Sequence, residues 1–141
     1  MNNSSLHHFI ITSFLDNEKP PLVSDVASRF GVDLEAARQG LLALAEYHGV
    51  VLHPESDEVW VAYSFSAAPT TCIVMSGDKN WWRNCALCSM GVMYLAGGFS
   101  TLLTSTGSIH YAVSISVKNG NLIDKNSVFF FHVPLLEYWF K

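Results

Sequence analysis

The chain has 141 residues, half of them hydrophobic and 14% charged, with a formal net charge of −4 and three cysteines. That is enough for one domain, or two very small ones, with a sizeable core. The acidic balance argues against a phosphate-backbone partner, and no apolar run approaches the roughly 18 residues of a membrane span, so neither nucleic acid nor a membrane is expected as a partner.

The N-terminal residues lack a basic region and a small-residue cleavage site, so no signal peptide is expected. The odd cysteine count fits free thiols in a cytoplasmic location. Residues 5–16 place Leu6, Phe9, Ile10, Ser13 and Phe14 near helical spacing, and Pro20-Pro21 stops that element. Ser24 then reads as the N-cap of a short helix, "DVASRF", ended by Gly31. Asp33 caps a third helix with an apolar stripe of Leu34, Ala37, Leu41, Leu44 and Ala45, stopped at Gly49. In "VVLHPESDEVWVAYS" two β-rich runs flank "PESD", the signature of a hairpin.

Three helices and a hairpin form a winged-helix pattern, which raises DNA binding. The third helix, however, is net acidic (Asp33, Glu35, Arg38, Glu46), with only Arg38 and Gln39 suited to reading bases. Residues 1–64 are therefore expected to be a winged-helix-like packing part.

The second half, residues 65–141, changes character. "SFSAAPTTCIVMS" is β-prone, and Gly77-Asp78 is a turn signal. Asn84 reads as the N-cap of a helix, "CALCSMGVMYLA", that runs to Gly97-Gly98. After a polar link, "SIHYAVSISV" alternates strictly, with Tyr111, Val113, Ile115 and Val117 on one face. Asn119-Gly120 is a hairpin turn, "SVFFFHV" another strand, and "LLEYWF" beyond Pro134 the start of a last short helix. The expected fold is α+β: the N-terminal part packed on a core of antiparallel strands and a cysteine-bearing helix.

Cys85 and Cys88 carry the chemistry. One helical turn apart at a capped N-terminus beside Arg83, they meet unpaired N–H groups and the positive end of the dipole, an arrangement expected to depress thiol pKa values. Two thiols there suit a soft metal. The plainer alternative is two small hydrophobes in a core. Structural zinc lacks its other two ligands, and a redox pair lacks the parallel βαβ context. Cys72 reads as a buried strand thiol, His48 and His53 as surface residues, and His110 and His132 as core or surface histidines. Trp81 and Trp82 are expected in the core, where they could also wall off a pocket beside the thiols.

The stretches "GVVLHPESDEVWVAYSFSAAPT" and "GDKNWWRNCALCSMGVMYLAG" together resemble the organomercurial (alkylmercury) lyases. The family carries a winged-helix-like N-terminal part, a "PFSAxPT"-type segment and a "WxNCAxDxxG" segment, here "YSFSAAPT" and "WRNCALCSMG". "FFFHVPLLEYW" is similar to the family's aromatic strand ending in "VPxxxxW". The resemblance spans residues 22–139 and is most specific in the middle segment. It implies a divergent, C-terminally short member.

The resemblance further implies a cofactor-independent lyase using two thiolates and one aspartic acid. The thiolates take the mercury, and the acid protonates the carbon. Cys85 matches the first family cysteine. Cys88 stands where the family keeps its aspartate, and Asp124 where it keeps its second cysteine. The roles are then exchanged: Cys85 and Cys88 bind the metal, and Asp124 gives the proton. No cofactor is expected, and the partner is a small-molecule substrate, an organomercurial or another small organic compound. Two alternatives stay open: a repurposed enzyme acting on a carbon substrate through Cys85 and Cys88, and a non-enzymatic binder of Hg or Cu. Nothing in the residues speaks to oligomeric state.

Overall fold

The computed structural model of the protein describes residues 2–105 and 112–123. Its elements are helices α1 (Asn3–Asn17), α2 (Val23–Phe30), α3 (Leu34–Glu46) and α4 (Ala86–Ala96), with strands β1 (Val50–Leu52), β2 (Val59–Ala62), β3 (Phe65–Ser66), β4 (Cys72–Ser76), β5 (Lys79–Arg83), β6 (Phe99–Ser105), β7 (Ala112–Lys118) and β8 (Asn121–Leu122). The fold is α+β. Among the described residues the eight strands join one antiparallel sheet in the order β1-β2-β3-β5-β4-β6-β7-β8.

The three N-terminal helices and the β1–β2 hairpin form as expected, with one cap displaced. Helix α2 starts at Val23 rather than after Ser24, because two carboxylates hold its N-terminus. The Leu22 N–H donates to Asp25 and the Val23 N–H to Glu58 of the hairpin, at 2.9 and 3.0 Å. Gly31 ends α2 in the left-handed conformation, and Asp33 caps α3 through the Ala36 N–H. Helix α3 stops at Tyr47, before Gly49, with His48 in the left-handed region. Leu34 is exposed and lies outside the stripe of Ala37, Leu41 and Leu44 that packs inward. Arg38 is engaged within the molecule, 3.5 Å from both Glu35 and Asp57.

Strand β6 replaces what the sequence reads as a polar link, and β5 forms over residues to which the sequence reading assigns no element. In β5, "KNWWR", the inward positions are Lys79, Trp81 and Arg83, so charge falls where a strand pattern expects apolar residues. In β6, "FSTLLTS", Ser100 is fully buried and donates to the Met93 carbonyl, which meets its hydrogen-bonding need inside the core. The turns at Gly77-Asp78 and Asn119-Gly120 form as expected. Asn119 and Gly120 both have positive φ (50° and 75°), as a two-residue hairpin turn requires.

One face of the sheet is covered by α1 and α4. Phe14 stacks on Phe65 with centroids 5.0 Å apart, and the Trp81 indole donates to the Phe14 carbonyl at 2.8 Å. From α4, Val92 and Met93 enter the same core. Across this face runs one register row: Val50, Ala62, Phe65, Arg83, Cys72, Thr104 and Val113. Trp82 and Ile73, paired in the next row, point to the opposite face. Among the described residues no helix is long and apolar enough to cross a membrane. The expected strand at 127–133, the expected helix at 135–140, Tyr111, His110 and His132 lie outside the described residues.

Candidate active site

The site is built where β5 ends and α4 begins. Arg83 is the last residue of β5, and the Asn84 N–H donates to the Ser64 carbonyl at 3.2 Å, carrying the chain one residue past the β3 pairing. This bond makes Asn84 a continuation of the strand pairing rather than the start of α4. The N-cap is Cys85, in extended conformation (φ −152°, ψ 155°), and its Sγ accepts the Cys88 N–H at 3.2 Å. The thiol thus takes the role a serine or aspartate oxygen has at most helix starts. Ser89 completes the first turn by donating to the Cys85 carbonyl at 2.8 Å.

Both thiols are half-buried and free, linked by the Cys88 backbone N–H to the Cys85 sulfur. The expectation of depressed thiol pKa values fails for Cys88. Burial pushes it up to about 11, helped by the hydrogen bond to Cys85 and the proximity of that second thiol, while Arg83 pulls the other way. At neutral pH Cys88 is therefore a protonated thiol. The helix terminus alone does not outweigh desolvation by the packed first turn.

Arg83 is the residue whose weight the sequence conceals. It is 0% exposed at the centre of an otherwise uncharged row. Its guanidinium lies over the Phe65 ring, 3.9 Å from Cζ to the centroid, and Nη2 donates to the buried Ser64 hydroxyl. Nε and Nη1 find no partner among the described residues. Burial lowers its pKa to about 10, opposed by Cys88, Cys85, Tyr63 and Cys72, so it stays cationic at neutral pH. A charged residue at an inward strand position directly before the thiols was the available signal.

Ser64 reaches Arg83 because Tyr63, in the β2–β3 turn, sits in the left-handed region at φ 54°, exposed and turning the chain inward. Cys72 is the buried strand thiol the sequence suggests, and its Sγ lies 3.0 Å from the Thr104 hydroxyl. Trp81 is in the core but lines a shallow cavity with Leu15, Lys79 and Leu95, away from the thiols, and Trp82 points to the other face. Asp124, the expected proton donor, lies outside the described residues. Among the described residues no group of three or more His, Cys, Asp or Glu side chains could hold a metal ion, so what they offer a soft ion is a pair.

Comparison with known proteins points one way. The family model described as alkylmercury lyase matches residues 65–139. Among solved structures, the mercury-bound form of MerB2 matches with a TM-score of 0.71 at 16% identity, over 86% of this chain and 58% of that one. The chain thus spans a little over half the length of that relative, and the likeness is one of fold. A search of curated proteins by sequence found no match.

Proposed function

The chain belongs to the alkylmercury lyase family, and from that membership we propose that it is a cofactor-independent, thiol-dependent lyase that breaks a carbon–mercury bond by protonolysis. The observation that carries this reading is the Cys85–Cys88 pair, two free thiols one helical turn apart at the N-terminus of α4 and joined by the Cys88 N–H to the Cys85 sulfur, within the matched segment. Residues 1–64 would serve as the packing part and 65–141 as the lyase core. A reducing cytoplasm suits the chemistry, because both thiols must stay free.

In the first step the Cys85 thiolate displaces an anion X⁻ from R–Hg–X, giving Cys85–S–Hg–R. In the second, the Cys88 S–H passes its proton to Asp124, the Asp124 carboxylic acid protonates carbon, R–H leaves, and the resulting Cys88 thiolate closes Cys85–S–Hg–S–Cys88. The thiolates act as soft ligands and the acid as a general acid. Asp124 is the proposed proton donor.

One observation favours a second route for the proton. Cys88 is a protonated thiol at neutral pH and stands where the resembled family keeps its acid. Its own S–H would then supply the proton, and the thiolate left behind would capture the mercury. That step balances without Asp124.

The test is incubation with a phenylmercury salt and detection of benzene, with Cys85→Ser, Cys88→Ser and Asp124→Asn alongside. The lyase reading expects benzene from the wild type and none from Cys85→Ser. Loss in Asp124→Asn supports the carboxyl donor; retention supports the Cys88 proton. Tight Hg(II) binding with no benzene would leave a soft-metal binder. Inertness to both would point to a different carbon substrate.

A further inference from the structure

A guanidinium buried in a sheet is costly unless an anion meets it, since a charge taken out of water must be compensated by a partner. Arg83 has only a neutral hydroxyl, a ring face and two unpaired nitrogens among the described residues. It is fixed from three sides. Pairing with both Phe65 and Cys72 sets its backbone, Ser64 holds Nη2, and the Phe65 ring, itself stacked on Phe14, supports the plane. It ends β5 two residues before Cys85, on the sheet face that α4 covers, so the thiols at the start of that helix lie on its side of the sheet. A rigid buried cation held beside two soft ligands is a preorganised electrostatic device.

Charge counting says when it acts. An organomercury cation held by one thiolate is neutral. The same cation held by both thiolates carries one net negative charge, and Hg(II) held by both is again neutral. Resting on the lyase reading above, we infer that Arg83 is a positioning residue that balances the anionic complex of one organomercury cation with both the Cys85 and Cys88 thiolates. It touches neither the metal nor the carbon. It favours the state in which the second thiolate has joined the metal and electron density is pushed toward the carbon about to be protonated.

The experiment compares two probes on the same proteins. Wild type, Arg83→Met and Arg83→Lys are titrated with a phenylmercury salt and with Hg(II), each in competition with a small dithiol and read before turnover. Arg83→Met is expected to weaken phenylmercury binding about ten- to hundredfold, the range for losing a charge-assisted contact. Hg(II) affinity should hold, and Arg83→Lys should recover most of the loss. A merely structural arginine would weaken both probes together, and that result, or no change in either, overturns the inference. If Arg83→Met does not fold, neutral Arg83→Gln takes its place and the same ratio decides. If the wild type binds phenylmercury without releasing benzene, the lyase reading fails while the ratio still judges Arg83.

Discussion

The Cys88 amide donates to the Cys85 sulfur at 3.2 Å, so the residue proposed to take the mercury is also the N-cap of α4. Helix stability and metal capture therefore share one atom. Cys85→Ala should cost about 0.5–2 kcal/mol, the usual loss for removing a capping acceptor. Cys85→Ser should restore that stability, since its oxygen can accept the same N–H, while metal capture stays lost. Denaturant unfolding and Hg(II) titration of both variants check this. Equal stability of the two would show that the sulfur does not cap the helix.

The raised Cys88 pKa gives a reactivity prediction with a defined sign. Below pH 9 its thiolate is scarcer than that of an ordinary thiol, because burial holds the proton to about 11. Alkylation of Cys88 by iodoacetamide should therefore lag at pH 8 and climb steeply only as pH approaches 11, as resolved by peptide mass spectrometry. The same shift bears on stability. The folded state keeps a proton that the unfolded state releases near 9.0. This contribution is thus fully present below pH 9 and is lost as pH rises toward 11. A flat unfolding free energy across that window would contradict it.

The helices were legible in the sequence because their signals are local. Asp33, Gly31 and Gly97 each mark an end by a short-range hydrogen bond or a left-handed φ. The cap of α4 falls one residue later than the sequence suggests because the Asn84 backbone extends the sheet pairing to Ser64, so the helix begins after Cys85. Strands β5 and β6 were hidden for a related reason. Their inward residues include Arg83 and Ser100, whose burial makes sense only once Ser64, Phe65 and Met93 are in place. The thiol pair could be found from spacing and resemblance. The protonated state of Cys88 could not, since desolvation depends on packing remote in sequence.

Cys72 separates a thiol of the row from a thiol of the chemistry. It neighbours Arg83 in the register, yet its sulfur is spent on Thr104 at 3.0 Å. Cys72→Ala should cost about 1–2 kcal/mol, from a small cavity and a hydroxyl left without its partner. Benzene release should be unchanged, and Hg(II) stoichiometry should stay at one per chain. Loss of activity in a folded Cys72→Ala protein would move this thiol into the site and break the assignment to Cys85 and Cys88.

The support of Arg83 reaches back to the first helix, which makes α1 relevant to chemistry it does not touch. Phe14 stacks on the Phe65 ring that supports Arg83, and its carbonyl receives the Trp81 indole. Phe14→Ala should cost about 3–5 kcal/mol, the range for a large buried aromatic. It should also slow benzene release, because Phe65 loses the ring that fixes it. Trp81→Phe removes only the hydrogen bond, about 1 kcal/mol, and leaves Phe65 stacked. It should therefore lower stability with little effect on turnover. Measuring both variants well below their melting temperatures separates unfolding from misplacement. If Phe14→Ala turns over at the wild-type rate while folded, the stack is packing alone.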